Sequence, residues 1–232
     1  MAMQGSGISN VDTASVAMKV NDDGFYSLMI GASDMGTGCD TILAQMAADC
    51  MECEMEDIIV SGVDTDSSPY DTGSYASSTT YVTGMAVIKT CEKLKEKIRM
   101  KGAEYLGHNV DEVEFDGKKV WCPEDGSEIS LKDIGNQVMC RNEEALFASE
   151  AHFSPISPPP FMVGMAEVEV DKETGAVTPI DYVAVVDCGT VVNPSLARVQ
   201  TEGGLVQGIG MALYEDVVYN EKGKNFSNSF MQ

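Results

Sequence analysis

Three short stretches place small, hydroxylated and amide side chains at spacings suited to holding a polar ligand. In "DMGTGCDT", residues 34–41, Gly36, Thr37 and Gly38 free the backbone just ahead of a helical run. The first N–H groups of a helix have no intrahelical partner, so such a junction suits an anion such as phosphate. In "GSYASSTT", residues 73–80, Ala76, Ser77, Ser78 and Thr79 supply small side chains and hydroxyls, again ahead of a helix. In "RVQTEGGLVQGIGMALYE", residues 198–215, the spacing of three, four and seven puts Gln200, Gly203, Gly204 and Gln207 on one helix face. Two amides flanking bare backbone make a hydrogen-bonding surface for a flat polar ligand.

The glycines of that last helix need a reason. Gly203, Gly204, Gly208 and Gly210 each cost about 1 kcal/mol of helix propensity relative to alanine, roughly 4 together. Close approach of a ligand and tight packing against a neighbouring element both select glycine. Gly203 and Gly204, between the two glutamines, are read as serving a ligand; Gly208 and Gly210, nearer the Val206–Leu213 stripe, as serving packing.

Other chemistries are absent. There is no Gly-x-x-x-x-Gly-Lys-Ser/Thr loop and no His-Glu-x-x-His, and only His108 and His152 are available, which argues against a His-rich metal site. "GIGMAL" has a dinucleotide-like look, but it lies late in a helix rather than opening one after a strand. Cys50 and Cys53 form a lone Cys-x-x-Cys in a helical pattern and are read as structural or incidental thiols. No side chain is assigned as a metal ligand.

The elements that must position the three stretches follow from periodicity. Alternation of Val16, Met18 and Val20, the turn "NDDG" and "FYSLMI" predict a hairpin over 15–30. Asp40 is read as the N-cap of a helix carrying Ile42, Leu43, Met46, Ala47, Cys50 and Met51. "DIIVSGV" predicts a strand, 64–80 a polar loop, and 79–105 a second helix with a lysine-bearing solvated face. Further on come a hairpin around Asp116-Gly117 and a short helix capped by Ser130. The stretch 142–160 is read as a linker or surface loop. Two strands, 161–170 and 177–186, pair across "DKETG", and Asn193-Pro194 start the glycine-bearing helix.

Both halves thus open with a hairpin that feeds a loop and a helix. The expected fold class is α+β, repeated two-layer units of mixed β-sheet backed by helices, with a first unit over 1–155 and a second over 156–232.

The 232 residues include 37 acidic and 15 basic side chains, a formal net charge of −22. Such a surface repels phosphate backbones and anionic lipid, which excludes nucleic acid and membrane surfaces as expected partners. Seven cysteines, odd in number and irregularly spaced, point to a reducing compartment, and a cytoplasmic location is expected.

The stretches "GASDMGTGCDTILAQMAA", "DTDSSPYDTGSYASSTTYVTGMAV", "VGMAEVEVDKETG" and "VVDCGTVVNPSLARVQTEGGLVQGIGMALYED" together resemble the molybdenum-binding region of the xanthine dehydrogenase and aldehyde oxidase family, in its second, C-terminal cofactor-binding portion. They occur in family order and span nearly the whole chain. The resemblance implies a molybdenum–pyranopterin cofactor, as molybdopterin alone or extended to a dinucleotide, held by hydrogen bonds with no side chain on the metal. Gly36, Thr37 and Gly38 match the family's Met-Gly-Gln-Gly turn, with Thr37 shorter than the usual glutamine. Ala76, Ser77, Ser78 and Thr79 match its small and hydroxylated pterin-binding stretch, and Gln200 matches a glutamine at the pterin.

The resemblance further implies that the intact enzyme hydroxylates a purine, an aldehyde or an N-heterocycle, with water as oxygen source. Its catalytic glutamate belongs to a Gly-Glu pair expected downstream of Gln232, so no catalytic residue is assigned here; Glu202 does not match that position and is read as structural. Iron–sulfur centres and FAD are expected only on other domains or subunits. The expected partners are the remainder of the molybdenum subunit and those redox subunits, in a homo-oligomer of the full complex. The competing expectation is a non-catalytic scaffold that docks partner chains.

Overall fold

The computed structural model describes residues 1–229. The chain divides into two compact units, Gln4–Pro160 and Met1–Met3 with Phe161–Gln232.

The first unit is built on a four-stranded sheet of order β4-β3-β2-β8. Here β2 is Thr13–Val20, β3 Tyr26–Ile30, β4 Ile58–Ser61 and β8 Phe147–Phe153. The β2–β3 hairpin has the expected alternation, with Val16, Met18, Tyr26, Leu28 and Ile30 all buried. β4 pairs parallel with β3 through the crossover helix α1, Cys39–Met51, whereas β8 runs antiparallel to β2, which makes the sheet mixed.

Helix α2, Thr79–Leu106, lies beside α1 and covers β2 and β8. Its buried residues Val82, Ala86, Val87, Cys91, Leu94 and Ile98 recur at helical spacing. The helices approach closely at Gly84, where a Cβ would come within 2.6 Å of Met46 Cε. A second small sheet, β5 Glu114–Phe115, β6 Lys119–Trp121 and β7 Glu128–Ser130, packs on the far end of α2. Tyr26 ties the two sheets together by donating its hydroxyl to the Gly117 carbonyl at 2.8 Å. Helix α3, Leu131–Cys140, starts as expected at Ser130, whose hydroxyl accepts from the Asp133 N–H at 3.0 Å.

The second unit is a three-stranded sheet of order β1-β9-β10, with β1 Ala2–Met3, β9 Phe161–Val170 and β10 Val177–Asp187. Helix α4, Pro194–Leu213, follows, and the Asn193 side chain accepts from the Leu196 N–H at 3.0 Å as its cap. Among the described residues of this unit none is buried.

Two local expectations are corrected. α1 begins at Cys39, before Asp40, and its N-cap is Gly38 in the left-handed conformation, φ 77°. And 142–160 is not simply a loop, because β8 occupies its middle. Its inward positions are Ala148, Glu150 and His152, so the strand shows no apolar alternation to read.

Candidate functional site

Two of the three predicted stretches lie in the first unit, on loops that are joined at Ser33 and Ser74. The loop from β3 to α1 holds Gly36, Thr37 and Gly38; the loop from β4 to α2 holds Ala76, Ser77, Ser78 and Thr79. The Ser33 N–H donates to Ser74 Oγ at 3.1 Å, and the Ser74 hydroxyl donates to the Ser33 carbonyl at 3.0 Å. Below that junction a Cβ at Gly31 would sit 2.2 Å from the Pro69 carbonyl oxygen, so the two backbones touch where only glycine fits.

The first loop is wound around one carboxylate. Asp34 Oδ1 accepts from the N–H groups of Gly36 at 2.8 Å and Gly38 at 3.1 Å, and Oδ2 accepts from that of Asp40 at 3.3 Å. Gly36 has φ +95° and Gly38 +77°, values that L side chains rarely adopt. The Gly36 N–H, more than the others, holds the Asp34 carboxyl below its usual range. At the junction expected to suit an anion, a carboxylate of the chain itself thus reaches the Asp40 N–H in the first turn of α1.

The second loop is strained. Ala76 and Ser77, neither of them glycine, take φ +49° and +54° in succession. Several contacts over-determine the segment. The Ala76 carbonyl accepts from the Gly7 N–H at 2.8 Å, and Ser77 Oγ from Gln4 Nε2 at 3.2 Å. Tyr75 donates its hydroxyl to Oδ1 of the fully buried Asp12 at 2.7 Å, which raises the tyrosine pKa. Asp71 accepts from the Gly73 N–H at 2.8 Å and the Thr83 hydroxyl at 2.9 Å, fixing the loop to α2.

Ser78 stands at the N-cap of α2 yet makes no side-chain cap bond; its hydroxyl turns back to donate to the Tyr75 carbonyl at 2.8 Å. The first-turn N–H groups of α2 have no intrahelical acceptor. In α1, by contrast, Asp34 reaches one first-turn N–H, that of Asp40. Sequence reading missed Ser33, Asp34, Asp71, Ser74 and Asp12 as supports. Only Asp34, two residues before a glycine, left a local signal, that of an Asx turn.

The third stretch belongs to the second unit. Gln200, Gly203, Gly204 and Gln207 are all exposed along α4. The opposite face turns to the sheet: Thr201, Glu202 and Leu205 line a cleft with Tyr182 and Ala184 of β10. Glu202 accepts from Arg198 Nε at 2.7 Å, an i,i+4 ion pair. "GIGMAL" falls in the last turns of α4. A Cβ at Gly203, Gly204 or Gly208 would meet nothing within 4 Å, whereas at Gly210 it would lie 2.7 Å from Glu215 Oε1. Packing within the second unit therefore does not account for Gly208, and at Gly210 it rests on the far end of one flexible side chain.

Among the described residues, neither thiol of the Cys-x-x-Cys joins a group of three or more possible metal ligands. Cys53 is half-buried, and burial pushes its thiol up to about 12, opposite to the shift a thiolate ligand or nucleophile needs. No helix among the described residues is long and apolar enough to cross a membrane.

Comparison with known proteins puts this geometry in context. The family model of the molybdopterin cofactor-binding domain matches residues 1–232. The protein named "Probable hypoxanthine oxidase XdhD" of Escherichia coli (strain K12) is 35% identical over 222 residues, covering 95% of this chain and 23% of its own length. The 6-hydroxypseudooxynicotine dehydrogenase complex subunit gamma of Paenarthrobacter nicotinovorans is 30% identical over 235 residues, 99% of this chain and 29% of that one. In three dimensions, quinoline 2-oxidoreductase from Pseudomonas putida 86 superposes with a TM-score of 0.87 at 21% identity, covering 99% of this chain and 31% of that one, a likeness of fold. The chain thus spans between 23% and 31% of the length of these three proteins. With the whole sequence inside one family model and the α+β fold shared, the chain belongs to the molybdopterin cofactor-binding domains of the xanthine dehydrogenase and aldehyde oxidase family.

Proposed function

We propose that this chain forms part of the pyranopterin-binding wall of a molybdenum hydroxylase large subunit. The observation that carries the reading is the open first turn of α2, set behind the left-handed pair Ala76-Ser77 within a chain that matches the family from end to end. The N–H groups of that turn and the hydroxyls of Ser77 and Thr79 are hydrogen-bond donors for an anionic or carbonyl-rich cofactor edge. Gly36, Thr37 and Gly38 stand on a loop that Asp34 holds rigid, so the backbone near the cofactor is ordered before anything binds. Gln200 and Gln207 offer amides beside bare helix backbone on the second unit. When bound, the molybdenum–pyranopterin group supplies two-electron oxidation of an electron-poor carbon with water as oxygen source.

In the complete protein the substrate is a purine, an aldehyde or an N-heterocycle, and the base that activates the attack lies outside this chain. Iron–sulfur and FAD domains or subunits take the electrons onward, within a homo-oligomeric cytoplasmic complex.

Gln200→Ala in the complete subunit tests the reading. Loss of one hydrogen bond, about 0.5–1.5 kcal/mol, should lower molybdenum content by elemental analysis and leave the Tm nearly unchanged. Normal molybdenum with a large drop in Tm would instead make Gln200 a structural hydrogen-bonder and remove it from the site.

A further inference from the structure

At the end of the first unit opposite the start of α2, three side chains of different chemistry converge. α2 closes at the left-handed Gly107, φ +78°, and the His108 N–H donates to the Ala103 carbonyl at 2.9 Å, which fixes His108 just past the helix end. Fourteen residues on, the β6–β7 connection reads Cys122-Pro123-Glu124-Asp125-Gly126. It is a tight turn: the Cys122 N–H donates to the Ser127 carbonyl at 2.8 Å, and the Gly126 N–H to the Cys122 carbonyl at 3.0 Å, with Gly126 at φ +73°. The ligand atoms of His108, Cys122 and Asp125 all lie within 4.8 Å of one another.

We propose that His108, Cys122 and Asp125 form a zinc site, with Nε2, Sγ and a carboxylate oxygen as ligands. Imidazole, thiolate and carboxylate are the three side-chain donors zinc takes. Bonds of about 2.0–2.3 Å at a tetrahedral angle require ligand atoms roughly 3.3–3.8 Å apart, so the cluster needs adjustments of the order of an ångström or less. The two-residue gap between Cys122 and Asp125 equals the shorter ligand spacing of zinc knuckles.

A second observation, outside the three ligands, points the same way. Zinc-bound histidines almost always offer the other ring nitrogen to a carboxylate or carbonyl, which fixes tautomer and orientation. Here the ring's Nε2 faces Asp125 Oδ2 at 3.0 Å and Ser127 Oγ at 3.2 Å, while Nδ1 lies 3.5 Å from Glu112 Oε2. Glu112 is itself held, accepting from the backbone N–H and the side-chain amide of Asn109, both at 2.9 Å. The C-terminal end of a 28-residue helix adds a field that favours a cation.

The division of exposure fits three protein ligands and one water. Cys122 is fully buried, His108 half-buried and Asp125 exposed, so the metal would sit at the rim of the small sheet with one position open to water. Binding exchanges the Cys122 S–H bond for a Zn–S bond, and the proton passes to solvent. The ion would clamp the β6–β7 turn to the end of α2. The three residues sit in no signature visible in sequence, because only the fold brings position 108 to positions 122 and 125.

Cobalt(II) is the probe, since a thiolate ligand gives it a charge-transfer absorption that oxygen and nitrogen ligands do not. Titrated into the full chain, one equivalent should produce that band, zinc should displace it, and zinc should raise the Tm. Cys122→Ser should abolish the band. Cys122 is buried and could disturb folding when changed, so the exposed positions complete the test: Asp125→Ala should weaken zinc at least tenfold, and Glu112→Gln by 10- to 100-fold through the histidine, both with unchanged circular dichroism. No thiolate band, or one that survives Cys122→Ser or Asp125→Ala and disappears in Cys53→Ser, would overturn the assignment.

Discussion

Ser33 and Ser74 are joined by a reciprocal pair of hydrogen bonds, backbone N–H to hydroxyl at 3.1 Å and hydroxyl to carbonyl at 3.0 Å. The two loops proposed to face the cofactor approach from different strands, and this pair closes them on each other 41 residues apart in sequence. Ser74→Ala deletes both bonds. Each is worth about 0.5–1.5 kcal/mol net and Ser74 is half-buried, so a loss of about 1–2 kcal/mol is expected in urea denaturation. In the complete subunit the same change should lower molybdenum content. A variant as stable as the parent would show that Asp71 and Asp34 hold the loops without the serines.

The left-handed Ala76 separates strain from side-chain chemistry. An alanine at φ +49° costs on the order of 1–2 kcal/mol, which glycine removes while giving back part in unfolded-state entropy. Ala76→Gly should therefore leave the Tm within a few degrees of the parent or above it. Ala76→Val should destabilise by about 1–3 kcal/mol, because a branched Cβ fits that backbone worse. Equal melting temperatures for the two variants would mean that the loop is not held in this conformation in solution.

Gly203 is open on α4, where an added Cβ meets nothing within 4 Å. Gly203→Ala should thus stabilise the isolated chain, by up to the roughly 1 kcal/mol of helix propensity, as read from thermal melts. If the proposed ligand role holds, the complete subunit should lose molybdenum with the same substitution. Destabilisation of the isolated chain would place a packing contact at this glycine instead.

His152 sets an acid limit on the first unit. It is 8% exposed on β8, Nε2 has no hydrogen-bond partner, Nδ1 lies 3.2 Å from Lys89 Nζ, and Tyr81 meets the ring edge-on at 5.8 Å. Burial, and then the lysine charge, lower its pKa. The charged imidazole is disfavoured in the folded chain. The stability it contributes is therefore present above the unfolded value of about 6.5 and lost as pH falls through the lowered folded value. Urea midpoints taken between pH 7 and 5 should fall, and His152→Gln should flatten that part of the curve. An unchanged slope in the variant would assign the pH dependence to carboxylates alone.

The amino-acid sequence by itself determined what local physics controls. The β2–β3 and β9–β10 hairpins follow from alternation interrupted by turn residues, and α2 from apolar positions three and four apart. α3 and α4 follow from the caps Ser130 and Asn193. That Gly36 to Gly38 and Ala76 to Thr79 each stand in a loop ahead of a helix was equally legible, since glycine and small hydroxylated side chains favour turns and helix starts. What only the tertiary structure decided depends on partners distant in sequence. β8 exists because β2 offers it an edge, although Ala148, Glu150 and His152 show no apolar alternation. Asp34 folds back and takes the Asp40 N–H at the start of α1, whereas Ser78 turns its hydroxyl away and leaves the start of α2 uncapped. Ser33 meets Ser74, and His108 meets Cys122 and Asp125, only after the sheets have formed. Periodicity fixes which residues share a face; which faces and loops then meet is set by long-range strand pairing and side-chain packing, and those leave no mark within a turn or two of the residues they join.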